Sequence, residues 1–164
     1  MVAVSALCVI RGDVTGQVTL YQHTPNHPTQ IEGYILNLPR GKYGFHIHEY
    51  GDMSNGCTSA GEHYNPYNKN HGGPNNLDRH VGDLGNIESV SSTASTHFKI
   101  ISNMIMLQGP YNVVGRSMVV HAQQDDLGQT DNPLSKTTGN SGGRIACGII
   151  GYNNKNVVPS KTKF

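Results

Sequence analysis

The sequence predicts an all-β domain, an antiparallel sandwich or flattened barrel. Helical periodicity is scarce along the 164 residues, and short β-branched and aromatic runs alternate with Gly, Asn and Pro. Glycine, at 20 of 164, suits many tight turns and suits long helices poorly. The predicted strands are Ala3–Ile10, Thr15–His23, Thr29–Leu38, Lys42–Glu49, Gly85–Val90, Ser95–Ile101, Val113–His121 and Arg144–Tyr152. Asn37-Leu38-Pro39 and the Gly41/Gly44 neighbourhood read as turns.

Two connections are too long for ordinary turns: Tyr50 to Asp83 and Ala122 to Gly143, both polar and rich in Gly, Asn, Pro and Asp. Long loops inside a compact domain are functional or disordered, and both of these carry side chains able to ligate metals. The expectation is a single domain over 1–164, with its core in 3–152 and a weakly patterned C-terminal tail, 153–164.

Charge narrows the function classes. Lys+Arg total 12 and Asp+Glu 11, with no basic run, so neither a nucleic-acid footprint nor a polybasic membrane patch is expected. No apolar run reaches membrane-spanning length. The first residues lack a basic region of the secretory type, and no Asn-x-Ser/Thr acceptor occurs, so a cytoplasmic location is expected, with an extracellular one after signal removal as the alternative.

The histidines carry the chemistry. In Gly44-Phe45-His46-Ile47-His48-Glu49, strand alternation sends Phe45 and Ile47 to one face and His46 and His48 to the other, where one metal could join them. His63, His71, His80 and Asp83 share one long loop and form a complete tetrahedral set for a structural zinc. His121 ends an apolar strand and would give His46 and His48 a third nitrogen. Imidazoles alone suit copper or zinc, and a tetragonal copper site would remain one nitrogen short. Asp125 or Asp126 is positioned to accept a ligand histidine's second N–H.

Three cysteines allow at most one internal pair. Joining Cys57 to Cys147 would anchor the ligand-rich loop to the last strand, worth about 4.5 kcal/mol by chain entropy. Cys8, in the alternating first strand, reads as a buried free thiol. Arg144, beside Cys147, would either bury against a carboxylate or offer a positive fork to a small anion at the mouth of a metal site.

Six stretches together resemble the copper/zinc superoxide dismutase family: Gly44–Asp52, Gly56–Gly61 running into His63–Pro66, His71–Pro74, Arg79–Asn86, Gly115–His121 and Gly142–Gly148. They occur in family order from about Ala3 to Tyr152. The resemblance implies an eight-stranded antiparallel Greek-key barrel, a flattened immunoglobulin-like sandwich with two long functional loops. It implies copper on His46, His48, His63 and His121, and zinc on His63, His71, His80 and Asp83, so that His63 bridges both metals and supplies the missing nitrogen. It further implies that Asp125 links His46 to His71, that Cys57 and Cys147 form the disulfide, and that His63 and Arg144 are catalytic, the latter guiding superoxide.

The implied reaction disproportionates superoxide to dioxygen and hydrogen peroxide by alternating reduction and oxidation of copper, with zinc structural. The implied partners are a second copy, paired through Tyr50, Met53, Val114 and Ile149 to Tyr152, and a copper chaperone for maturation. A copper-delivery or metal-storage module of the same fold is the alternative. Where family enzymes often carry an acidic pair before the arginine, this chain has Pro133-Leu134, with Asp131 and Lys136 the only charges between Gly128 and Gly143. Long-range steering, and with it the salt dependence of the rate, is expected to be weaker than usual.

Overall fold

A computed structural model describes residues 3–154; most of the expected tail, residues 155–164, lies outside the described residues. The strands are β1 (Val4–Gly12), β2 (Thr15–Gln22), β3 (Thr29–Leu36), β4 (Gly41–His48), β5 (Ser54–Cys57), β6 (Asp83–Ser89), β7 (Thr96–Ser102), β8 (Ser117–His121) and β9 (Arg144–Tyr152). Eight of them form one sheet in the order β6-β4-β8-β9-β1-β2-β3-β7, every pair antiparallel. The non-sequential neighbours β4-β8 and β9-β1 give the crossing connections of a Greek key, and the sheet curls into a nearly closed flattened barrel.

Alternation fills the interior. Ala6, Cys8 and Ile10 of β1, Val18 and Leu20 of β2, Ile31 and Ile35 of β3, and Phe45 and Ile47 of β4 are all fully buried in one core. Phe45 meets Phe98 of β7 edge-on, with ring centroids 5.2 Å apart, so the two halves of the barrel interlock at an aromatic pair. Cys8 is a buried free thiol, as expected, and burial pushes it up to about 12.

The predicted strands all form, with shifted ends. The clearest correction is β8, which begins at Ser117 and not at Val113. Gly115 takes φ +88°, and Arg116 N–H donates to the Val113 carbonyl at 3.1 Å, so Val113–Arg116 is a tight turn and not a strand. β6 starts earlier than predicted, because Asp83 pairs with His46 beyond an irregularity in β4. Neither long loop is structureless: the first holds β5 and a 3-10 turn, Thr58–Ala60, and the second a single helical turn, Ser135–Thr138.

Candidate metal centre

β4 and β8 lie side by side, with His46 opposite Val119 and His48 opposite Ser117. Phe45, Ile47, Met118 and Val120 belong to the barrel core. The alternate face, carrying His46, His48 and His121, is covered by the long loops, and all three histidines are buried. The first loop returns along β4: Tyr64 N–H donates to the Ile47 carbonyl at 2.8 Å and Glu49 N–H to the Glu62 carbonyl at 2.9 Å. Those bonds set His63 opposite His48 as an isolated bridge.

Two donor clusters result. His46, His48, His63 and His121 bring one ligand atom each to within 4.8 Å of one another. Carbonyl oxygens can only accept, so His48 Nδ1 donates to Gly61 O (2.9 Å) and His121 Nδ1 to Gly142 O (3.2 Å). The Nε2 atoms of these two rings are therefore bare lone pairs, and they face each other at 3.2 Å. The buried Nδ1 of His46 and Nε2 of His63 have no hydrogen-bond partner. Four buried lone pairs with nothing to accept from fit a cation, and four imidazole nitrogens suit copper.

The second cluster gathers on one oxygen. Asp83 Oδ1 lies 2.9 Å from His63 Nδ1, 3.0 Å from His71 Nδ1 and 3.2 Å from His80 Nδ1, and His63 and His80 Nδ1 are 3.4 Å apart. Tetrahedral donors on zinc, with bonds of about 2.0 Å, stand about 3.3 Å apart, so this set fits zinc. His46 also falls within 4.8 Å of His63, His71 and Asp83. Its Nε2 is engaged by Asp125, however, which leaves only Nδ1, shared with the first cluster. His80 is the better fourth member of the second cluster because it alone makes the short approach to both Asp83 and His63.

Titration follows burial and pairing in the metal-free protein. Desolvation holds His46 and His63 below the ordinary 6.5, with neighbouring histidines adding to it for both and Asp83 opposing it for both. Burial first, then His63, lowers His121 to about 4, and Arg144 contributes to lowering both His48 and His121. Burial alone would also lower His71, but hydrogen bonds to Asp125 and Asp83 outweigh it and raise the group to about 9. Burial likewise acts to raise Asp83, and the three histidines overcome it and hold the carboxyl well below its ordinary range.

The comparisons with known proteins agree with this geometry. Residues 14–150 match the family model for copper/zinc superoxide dismutase (SODC). The chain belongs to the copper/zinc superoxide dismutase family. It is 52% identical over 147 residues to "Superoxide dismutase [Cu-Zn] 5" of Dictyostelium discoideum, covering 89% of this chain and 96% of that one. It is 60% identical over 145 residues to "Putative superoxide dismutase [Cu-Zn]" of Autographa californica nuclear polyhedrosis virus, covering 88% of this chain and 96% of that one. Among solved structures, the crystal structure of "the clock protein EA4" superposes with a TM-score of 0.86 at 42% identity, covering 92% and 96%.

Every site residue read from the sequence falls at this centre or beside it. Asp125 joins the two clusters: Oδ2 accepts from His46 Nε2 and Oδ1 from His71 Nε2, both at 2.8 Å. Its neighbour Asp126 instead holds the loop through Thr130, Ser135 and the Gly128 N–H. Cys57 and Cys147 are bonded, tying β5 to β9. Arg144 sits opposite His121, donates to the Cys57 carbonyl at 2.8 Å rather than to a carboxylate, and lies close enough to His48 and His121 to lower both.

Sequence reasoning missed three supports. Asn86 brackets Asp125, accepting its N–H at 2.7 Å and donating to its carbonyl at 2.9 Å. Arg79, buried, donates to the carbonyls of His80 and Asp83 at 3.1 and 3.0 Å and so closes the loop around the second cluster. Gly139, at φ +65°, leaves room where a Cβ would collide with Asp125 Oδ1 and His71 Nε2. The only sequence signal for these lay in Asn86 following Gly85 and in Arg79 preceding His80.

Proposed function

We propose that this chain disproportionates superoxide, with copper on His46, His48, His63 and His121 and zinc on His63, His71, His80 and Asp83. The observation that carries this reading is the placement of His63, whose Nδ1 faces Asp83 while its buried Nε2 is unpaired among the other histidines. When bound, copper supplies one-electron redox change in both directions, and zinc supplies charge without redox.

The chain's own residues do the rest. The overall reaction takes two superoxide ions and two protons to dioxygen and hydrogen peroxide, so the site must attract an anion and deliver protons. Arg144, held by the carbonyls of Cys57 and Thr58 at 2.8 and 3.3 Å, presents a fixed positive fork near His48 and His121. His63 Nε2 is the ring atom placed to take a proton and give it to the developing peroxide, while Nδ1 stays turned to Asp83. Asp125 and the Gly61 and Gly142 carbonyls fix the rings of His46, His48 and His121 through the nitrogens that do not face the other donors.

The same reading includes a homodimer and copper delivery by a chaperone. Tyr50, Ile149 and Tyr152 are exposed at 55%, 46% and 65%, an apolar patch that supports pairing, whereas Ile150 turns into the core. The burial of all four copper donors supports assisted loading. Metal analysis combined with superoxide decay, repeated on His46→Ala, tests the function. One copper and one zinc per chain with rapid decay that His46→Ala abolishes is expected. Stoichiometric copper without decay would favour the delivery or storage module.

A further inference from the structure

The chain contains a single Asn-Gly dipeptide, Asn55-Gly56, and it lies in β5, outside the sheet. We infer that Asn55 is a spontaneous deamidation site whose isoaspartyl product loosens the loop that presents Arg144. Both residues are exposed, and nothing lies within 4 Å of the position a Gly56 side chain would occupy. The Asn55 side-chain amide makes no hydrogen bond; only its backbone N–H is held, by Ser59 Oγ at 2.8 Å. The Gly56 N–H is restrained by one long contact, 3.2 Å to the Met53 carbonyl. A nucleophilic backbone nitrogen, an accessible amide carbon and no side chain to hinder ring closure therefore coincide.

The chemistry needs only water. The Gly56 nitrogen loses its proton and bonds to Asn55 Cγ; the side-chain nitrogen takes a proton and leaves as ammonia, closing a five-membered imide. Water then opens either carbonyl, giving aspartate or the isoaspartyl linkage, with no change of oxidation state. Either product adds one negative charge, and the isoaspartyl form also adds a carbon to the main chain.

That extra atom would fall two residues before Cys57, whose sulfur is tied to Cys147 and whose carbonyl holds Arg144 at 2.8 Å. The loop cannot absorb it by sliding, because Cys57 is fixed covalently. The added atom is instead taken up in the short exposed segment around Asn55, which runs directly into the Cys57 and Thr58 carbonyls that position the guanidinium. This consequence rests on the role assigned to Arg144; the modification itself does not.

The test ages the metal-loaded full chain in mildly alkaline buffer, maps isoaspartate by peptide analysis, separates the isoforms and measures superoxide decay per copper. Asn55 is expected to convert faster than any other asparagine, and Asn55→Gln to stop formation of the acidic isoform while keeping the starting activity. The isoaspartyl isoform should be less active per copper than Asn55→Asp, which carries the same charge on a normal backbone. Persistence of intact Asn55 while other asparagines convert would overturn the inference. So would an isoaspartyl isoform as active as Asn55→Asp. If Arg144→Met leaves the rate unchanged, the Arg144 reading fails, and a fast-converting Asn55 would still stand as the modified site.

Discussion

The two oxygens of Asp125 are divided between the clusters, Oδ2 to His46 and Oδ1 to His71, each at 2.8 Å. One buried carboxylate thus holds a ring from each cluster by its Nε2–H and leaves Nδ1 as the atom turned to the other donors. Removing it should loosen both rings together. Asp125→Ala is expected to weaken zinc binding by roughly 10- to 100-fold, the usual scale for a group that orients a ligand histidine. Asp125→Asn, which keeps one accepting oxygen, should lose less. Competition against a chelator reads both, and an unchanged affinity in Asp125→Ala would show the link to be incidental.

Zinc binding should be coupled to one proton. In the metal-free protein His71 is raised from 6.5 to about 9, so near neutral pH both its nitrogens carry protons and Nδ1 must lose one to accept a metal. Zinc affinity should rise about tenfold per pH unit as pH climbs towards about 9 and flatten above it. The sign for the metal-free fold is opposite. The His71⁺ pairing with Asp83 and Asp125 is fully present below 6.5 and is lost as pH rises through about 9, so apo stability should fall across that window. Calorimetric titration in two buffers of different ionisation enthalpy measures the proton released; none released near neutrality would contradict the pairing.

Arg144 should matter locally and salt should matter little. Its guanidinium is held by two backbone carbonyls and pairs with no carboxylate among the described residues. In the loop before it, Lys136 spends its ammonium on the Gly128 carbonyl, and Leu134 stands exposed where family members often carry charge. Arg144→Met should lower superoxide decay per copper by roughly ten- to hundredfold, within the range of electrostatic steering effects. The wild-type rate should fall only weakly with ionic strength. A steep salt dependence would assign the steering to other charges.

Much of this centre was legible because strands impose a period of two. His46 and His48 had to share a face once Phe45 and Ile47 were placed in the core, and His121 followed from the same alternation in β8. The start of β8 was not legible, since Val113 and Val114 read as strand while Gly115 at φ +88° turns the chain. Nor could spacing choose between Asp125 and Asp126. That choice depends on Asn86, 39 residues away, which grips the Asp125 backbone. The convergence of three Nδ1 atoms on one oxygen of Asp83 is likewise set by long-range loop packing, which no local pattern encodes.

His63 turns Nδ1 to one cluster and Nε2 to the other, and in the proposed function it serves both. Adding zinc to protein loaded with copper alone, while following the copper(II) electron paramagnetic resonance spectrum, tests it most directly. The spectrum should shift as zinc fills its site, and in His63→Ala it should be indifferent to zinc. A wild-type copper spectrum that stays unchanged while zinc binds stoichiometrically would mean that the two sites are merely adjacent.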